Sequence, residues 1–433
     1  MQTKALPGFR DFYPEDLALR THIFQTWRTV ATRYGFVEYD GPPLEPLDLY
    51  TSKSGDEIVG QLYNFTDKGD RQVALRPEMT PTLARMVGAQ AGKLRKPIRW
   101  FSIPQLFRYE RQQRGRLREH FQLNCDLIGE PGPLADAEII ALAIDVMRAF
   151  GLGPEDVRVR LSDRRVLSAL LLHRGVPPSG LSKAYEFIDK IERLGKEQVD
   201  KFFAQPEVLG KARVPDLVEV SKIRGWDQLD QELAQSHELS KSGSHLKETH
   251  AALAAMGLAE FVELDLTIVR GLAYYTGVVF EVFDVKRTLR AICGGGRYDN
   301  LLDAVGGVQL PAVGFGMGDV VLGELLRDKS RTPTEGSSID VFLASITPED
   351  MPYVLSMAHQ LRDAGLRVEY ALTSQAVGKQ LKLADARHAP IAVVIGPDER
   401  ARGEAIIKDL RNGFQETVSV NSIVTTIKAR MNG

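Results

Sequence analysis

The sequence predicts an α+β protein: a large domain on an antiparallel sheet, carrying a helical insertion, followed by a smaller α/β domain. Three observations support this. Strand-like segments in the upstream part of the chain are grouped apart from the helices. A charged, helix-patterned stretch at 179–239 interrupts them and has the character of an inserted subdomain. A polar, turn-rich run at 327–338 (RDKSRTPTEGSS) then separates them from a region where strands and helices alternate. The domains that follow are 1–326, with a linker at 327–337, and 338–433.

The elements are read in chain order. Leu17, Phe24, Trp27, Ala31 and Tyr34 recur at helical spacing, which predicts an amphipathic helix over 15–34. An apolar stripe this wide needs burial and predicts a two-fold interface with a second copy. Strand-like segments follow at 99–109, 121–128, 264–269 and 278–283. Beyond the linker come a strand at 339–344, a helix at 351–364 closed by Gly365, and a strand at 366–372. A helix at 374–388, a buried strand at 391–395, a short hairpin and a last helix at 422–431 complete a mixed-sheet domain.

Composition excludes several classes. Apolar stretches such as 391–395 are far too short to span a bilayer, and the polar opening, broken by Pro7 and Gly8, is unlike a signal peptide. Two cysteines build neither a disulfide framework nor a metal site, so a reducing cytoplasm is expected. The eight histidines show no metal-ligand spacing, and no G-x-S-x-G elbow is present. A net charge of −2 neither suggests nor excludes nucleic acid, since cations can be confined to one face.

Four segments carry candidate chemistry. In FRYERQQRGRLREHFQLNCDLIG (107–129), alternation puts Arg108 and Glu110 on one face, and Gln122, Asn124 and Asp126 together on another. An arginine-rich loop (Arg111, Arg114, Arg116, Arg118) joins these polar faces into a hairpin that suits an anionic ligand with a polar head group. A solvent-facing amphipathic hairpin fits the same spacing equally well. In IVRGLAYYTGVVFEVFD (268–284), Arg270 ends an apolar strand beside Gly271, with Tyr274 and Tyr275 adding hydroxyls. A core strand with a surface arginine is the alternative. The glycine runs CGGGRYD and PAVGFGMG lack the Lys-Ser/Thr of a P-loop and instead mark close approach of a flat ligand. In LRPEMTPT (75–82), Glu78 and Thr80 lie in a proline-rich turn where helix is disfavoured. That acid either binds an ammonium group or sits exposed. His120 reads as a loop or surface residue.

Taken in order, these segments resemble the histidyl-tRNA synthetases, a family of class II aminoacyl-tRNA synthetases, over nearly the whole chain. LPGFRDFYPED with its helix and GFVEYDGPPLEP resembles the first class II motif, at the family's dimer interface. FRYER and FQLNCDLIG resemble the second, RGLAYY a signature of histidine enzymes, and GGGRYD with PAVGFGMG the approach to the third. The resemblance implies a class II antiparallel-sheet catalytic domain that joins L-histidine, ATP and tRNA(His) in a cytoplasmic homodimer. Glu78, Thr80 and Gln122, with neighbouring Met79, would hold the α-ammonium. Asp126 and Tyr275 would bond the imidazole nitrogens, with Tyr274 lining the pocket. Arg108 and Arg270 would be the catalytic pair gripping carboxylate and α-phosphate, and Glu110, Arg114 and Arg116 would complete the ATP site. Mg2+ would travel with ATP. The last domain resembles an anticodon-binding domain, best matched in SQAVGKQLKLADARHAPIAVVIG, with Lys379, Lys382 and Arg387 facing the tRNA backbone or forming a solvated helix face.

Two positions depart from the family pattern. Ala273 stands where many members have aspartate, and Val321 where the third motif ends in an ATP-binding arginine. Arg114, Arg116, Arg287, Arg290 and Arg297 are candidates to replace that cation, the two loop arginines first. Two other functions compete: a silent paralogue such as the regulatory subunit of ATP phosphoribosyltransferase, and a tRNA-binding sensor. The intact second motif and the final domain favour the enzyme.

Overall fold

A computed structural model describes residues 4–51, 60–111, 113–191, 214–269, 274–333 and 339–431. The chain divides into two compact units, Met1–Pro333 and Thr334–Gly433.

Among the described residues the first unit is built on a nine-stranded sheet. Its order is Val37–Glu38, Ile98–Ser102, Glu119–Ile128, Ala312–Gly318, Cys293–Arg297, Val278–Asp284, Val157–Asp163 and Val262–Leu264, with Gln105–Phe107 added beside Glu119–Phe121. The two outermost pairings are parallel and every pairing between them is antiparallel. Leu123, Cys125 and Leu127 turn one face of the sheet towards helix Pro133–Ala149, which is buried almost all round. Gln122, Asn124 and Asp126 turn to the other face, as period-two alternation requires.

Helix Pro14–Arg33 starts with Pro14 in its first turn, followed by Glu15 and Asp16, where an acid suits the helix dipole. It ends at Gly35, whose φ of 74° is left-handed. Its buried residues, Leu19, Ile23, Trp27, Val30 and Ala31, join the core with helices Pro133–Ala149 and Asp319–Asp328. Of the predicted stripe, Trp27 and Ala31 are buried and Phe24 and Tyr34 half-buried within their own chain, while Leu17 stays exposed, so most of it is covered without a second copy. Ahead of it, Arg10 bonds Glu119 at 2.6 Å and Asp319 at 2.8 Å, tying the N-terminal segment to strand and helix together.

Several boundaries differ from expectation. The segment 99–109 is two strands, because Pro104 has no N–H for the ladder. Only Val262–Leu264 of the region around 264–269 is strand; Asp265 instead accepts from the Thr267 N–H and hydroxyl, closing a turn. Thr80 starts an α-helix, Thr80–Gln90, because Pro81 falls in its first turn, where no intrahelical N–H is lost. The insertion includes helices Leu181–Lys190, Val214–Ser221 and Trp226–Leu233, with 192–213 outside the described residues. Helix Asp319–Asp328 takes in the first two residues of the stretch read as linker, of which 334–338 also lie outside.

The second unit has a five-stranded mixed sheet: Val368–Tyr370, Val341–Ser345, Ile391–Ile395, Glu404–Asp409 and Gln415–Ser419. The first three strands are parallel and the last two antiparallel. Helices Met351–Asp363 and Ile423–Met431 close its core. No described helix of either unit is long and apolar enough to cross a membrane.

Candidate active site

Two joined hollows lie on the polar face of the large sheet. The smaller, about 70 Å³, is bordered by Glu78, Thr80, Arg108, Gln122, Asn124, Asp126, Tyr274, Tyr275 and Tyr298. The larger, about 210 Å³, is bordered by Arg108, Glu110, Arg116, His120, Gln122, Arg290, Val320 and Val321. Arg108, Gln122, Gly294 and Gly316 belong to both.

The sheet register explains why the space exists. Asp126 pairs with Gly314, which pairs with Gly296; Asn124 pairs with Gly316, which pairs with Gly294. Side chains rise from one strand while the next two offer only backbone on that face, leaving a floor over which a ligand can lie. The period-two glycines of CGGGR and AVGFGMG were the sequence signal for this floor. A Cβ on Gly316 would stand 2.7 Å from the Gln122 side chain, and one on Gly314 would clash with the Asp126 carboxylate.

The smaller hollow is bordered by two buried carboxylates, Glu78 and Asp126. Glu78 is 4% exposed, not a surface turn acid, because the entry to helix Thr80–Gln90 folds it inward, where the Tyr274 hydroxyl donates to it at 3.3 Å. Asp126 accepts from the Tyr298 hydroxyl. Burial pushes the Asp126 carboxyl up to about 7, although the Tyr298 bond pulls the other way. Burial and the neighbouring Asp126 hold Tyr298 well above the usual phenol range. Tyr298 was missed in the sequence, where GGGRYD offered its glycines as the visible feature.

The larger hollow is cationic. Arg108 is anchored by its Nε–H to the Pro77 carbonyl at 2.9 Å, and Arg116 is ion-paired with Glu110. Arg290 donates to the side-chain oxygen of Gln113 on the hairpin tip. His120 borders this hollow rather than sitting outside it. Burial, with Arg108, Arg10 and Arg116 nearby, pushes its imidazole down to about 3, so at neutral pH it is uncharged.

Other expected residues are elsewhere. Met79 is 1% exposed in the core and borders neither hollow, because its position at the entry to the helix turns it inward. Arg114 also borders neither; it bonds Glu324 at 3.1 Å on the outer side of helix Asp319–Asp328. Arg297 is buried and bonded to Asp136. Arg287 lies 3.5 Å from Glu263. Arg270 and Ala273 lie outside the described residues. In the second unit Lys379, Lys382 and Arg387 are exposed on or just after helix Val377–Ala386, Arg387 lying 3.5 Å from Glu369.

The chain is similar to known proteins along nearly its whole length. The family model for histidyl-tRNA synthetase matches residues 8–318, and that for an anticodon binding domain matches 340–430. A histidine–tRNA ligase of Opitutus terrae is 46% identical, covering 98% of each chain. The chloroplastic/mitochondrial ligase of Arabidopsis thaliana is 38% identical over 96% of this chain and 85% of its own. The crystal structure of histidyl-tRNA synthetase from Nostoc superposes with a TM-score of 0.82 at 26% identity, covering 99% of this chain and 100% of that one. A Bacillus halodurans chain described as an ATP phosphoribosyltransferase regulatory subunit/histidyl-tRNA synthetase gives 0.74 at 23% identity over 92% of this chain and 98% of its own, which speaks to fold alone. With one family model spanning most of the first unit and relatives aligned from end to end, the chain belongs to the histidyl-tRNA synthetase family.

Proposed function

We propose that the chain activates L-histidine with ATP and transfers it to tRNA(His). The observation that carries this reading is the shared border of the two hollows: a pocket with buried carboxylates adjoins, at Arg108 and Gln122, a cationic one. Histidine supplies cationic and hydrogen-bonding groups for the first, and ATP supplies anionic groups for the second.

In this reading Glu78, Thr80 and Gln122 hold the α-ammonium. Asp126 and Tyr275 bond the imidazole, and Tyr274 walls the pocket. The histidine carboxylate is left facing the junction at Arg108. One carboxylate oxygen attacks the α-phosphorus, the bond to the bridging oxygen breaks, and pyrophosphate leaves. A terminal ribose hydroxyl of tRNA then attacks the carbonyl carbon of the histidyl-adenylate, and AMP leaves. Arg108, with Arg270 assigned beside it by the family pattern, steadies the growing charge. Such chemistry depends on positioning and charge stabilisation more than on covalent help.

Glu110 borders the larger hollow but is engaged by Arg116, and among the described residues no group of three potential ligands is placed to hold a metal. Magnesium would be carried by the ATP phosphates, where it would neutralise their charge. Lys379, Lys382 and Arg387 supply cations for tRNA. The active form is a cytoplasmic homodimer by analogy with the first-motif resemblance; the two buried cysteines, neither of them in a disulfide, suit a reducing compartment. Sedimentation tests assembly: a fully active monomer removes the dimer. Histidine-dependent ATP–pyrophosphate exchange tests the function, since neither a silent regulatory paralogue nor a tRNA sensor catalyses it.

A further inference from the structure

Arg164 opens helix Arg164–His173, just after strand Val157–Asp163, and borders neither hollow. Yet three backbone carbonyls of the stretch 269–277 converge on it. Its Nε–H donates to the Val269 carbonyl at 3.1 Å, and an Nη1–H donates to the Tyr275 carbonyl at 2.9 Å. Its backbone N–H donates to the Gly277 carbonyl at 3.0 Å.

The sheet register explains the convergence. Val278 pairs with Asp163, so the chain entering strand Val278–Asp284 runs past the turn from strand to helix. Asp163 fixes that turn as the helix cap, accepting from the Arg165 N–H at 2.7 Å, and it also takes the Arg165 guanidinium. Of the two neighbouring arginines, Arg165 is thus spent on the cap, while Arg164 is turned to the incoming chain.

What Arg164 holds is a wall of the smaller hollow. Tyr275 is 8% exposed and borders that hollow with Tyr274, whose ring centroid is 5.1 Å away and whose hydroxyl donates to Glu78. The Thr276 N–H donates to the Arg297 carbonyl at 2.8 Å. The planar peptide between Tyr275 and Thr276 is therefore gripped at its oxygen by Arg164 and at its nitrogen by strand Cys293–Arg297. Fixing that plane fixes ψ of Tyr275 and so the backbone from which the pocket tyrosines project. A rigid planar fork can also set the spacing of two carbonyls, Val269 and Tyr275, which a single point donor cannot.

We propose that Arg164 is a positioning residue for the histidine pocket: one guanidinium, by holding the Val269 and Tyr275 carbonyls, sets the orientation in which Tyr274 and Tyr275 meet the substrate. The assignment rests on reading the smaller hollow as the histidine site. A competing role is packing of the insertion, because the Arg164 guanidinium lies 5.8 Å from the Tyr185 ring of helix Leu181–Lys190.

The test compares Arg164→Gln, Arg164→Lys and Tyr185→Phe with the unmutated full chain. The readouts are the histidine KM and the ATP KM in ATP–pyrophosphate exchange. Losing charge-assisted bonds that orient the wall predicts that Arg164→Gln raises the histidine KM on the order of ten- to a hundredfold. The ATP KM should stay near the unmutated value. Arg164→Lys keeps the charge without the fork and should give a smaller rise. Tyr185→Phe loses only the hydroxyl contact with Ser168 and should leave both constants unchanged. An unchanged histidine KM in Arg164→Gln overturns the assignment. So does an equal rise in both constants, which would mean general loosening of the sheet, and so does a Tyr185→Phe that matches Arg164→Gln, which would put the effect in the insertion. Should Arg164→Gln fail to fold, Arg164→Lys decides by the same criteria. Absence of histidine-dependent exchange in the unmutated protein would sink the histidine reading of the pocket, and this assignment with it.

Discussion

The Tyr298 hydroxyl donates to the Asp126 carboxylate, and both side chains are buried beneath the smaller hollow. The pair joins strand Glu119–Ile128 to the end of GGGRYD, so the acid proposed to meet the imidazole is oriented by a residue just beyond a different strand, Cys293–Arg297. Tyr298→Phe removes the donor but keeps the ring. A hydrogen bond to a charged group contributes about 1.5–3 kcal/mol, so the histidine KM should rise roughly ten- to a hundredfold. The ATP KM should hold. Equal changes in both constants would show that Tyr298 supports the sheet rather than the pocket.

The same acid gives stability a pH signature. Its folded pKa is raised to about 7, mainly by burial, so the folded state holds a proton that the unfolded chain releases near the ordinary carboxylate value. The associated stability is full below that ordinary value and is lost as pH rises through about 7. Asp126→Asn cannot ionise. The melting temperature of the unmutated protein should therefore fall relative to Asp126→Asn between about pH 4 and 8. A constant difference across that window would mean that the carboxyl ionises at its ordinary pKa.

Sequence pattern exposed the parts of this site whose period is strict. Gln122, Asn124 and Asp126 were legible because one side of their strand is core and the other is polar. For Glu78 the sequence left a buried ammonium ligand and an exposed turn acid both open, because Pro77 and Pro81 look like helix breakers, and only the cap geometry shows that Pro81 opens a helix and that the acid is buried. Helix Pro133–Ala149 was invisible because it is buried on nearly every side and so has no amphipathic stripe to find. His120 shows no local sign that it faces inward; burial comes first, with Arg108 and Arg116 of its own hairpin and Arg10 brought from the N-terminal segment. Tyr298 likewise gains its role only through the fold, 172 residues along the chain from its partner.

The glycine floor makes a sharp steric prediction. Gly316→Ala puts a methyl group 2.7 Å from the Gln122 side chain, in the space shared by the two hollows. The strand can accept alanine at an ordinary φ, so folding should survive while Gln122 is pushed into the ligand space. Exchange should drop at least a hundredfold, with thermal stability lowered only modestly, on the order of 1–3 kcal/mol for overpacking. Normal exchange would show that ligand does not lie over this row.

A buried ion pair ties helix His237–Ala255 and helix Pro133–Ala149 to strand Cys293–Arg297 of the large sheet. Asp136, fully buried, accepts from Arg297 at 2.7 Å and pairs with His245 Nε2 at 2.8 Å; His245 belongs to helix His237–Ala255. Removing Asp136 leaves the Arg297 charge buried with its main partner gone, which costs about 3–5 kcal/mol. Removing His245 leaves Asp136 still bonded to Arg297 and should cost about 1 kcal/mol or less. Chemical denaturation followed by tryptophan fluorescence should thus rank Asp136→Ala well below His245→Ala. The reverse order would show that the histidine, not the arginine, is the main partner.

The last prediction separates the two units. Every residue bordering either hollow lies within Met1–Pro333, and Thr334–Gly433 has a hydrophobic core of its own around Val341, Leu343, Ile391 and Val393. A fragment ending at Pro333 should retain histidine-dependent exchange yet lose most tRNA charging. In the full chain, Lys379→Ala with Lys382→Ala should weaken tRNA binding and leave exchange unchanged. If both lysines meet phosphates, the slope of log affinity against log salt should flatten by about 1.4–1.8, from roughly 0.7–0.9 per contact. A weaker complex with an unaltered slope would mean that these lysines act through the shape of the helix, and a fragment that charges tRNA like the full chain would remove the second unit from tRNA recognition.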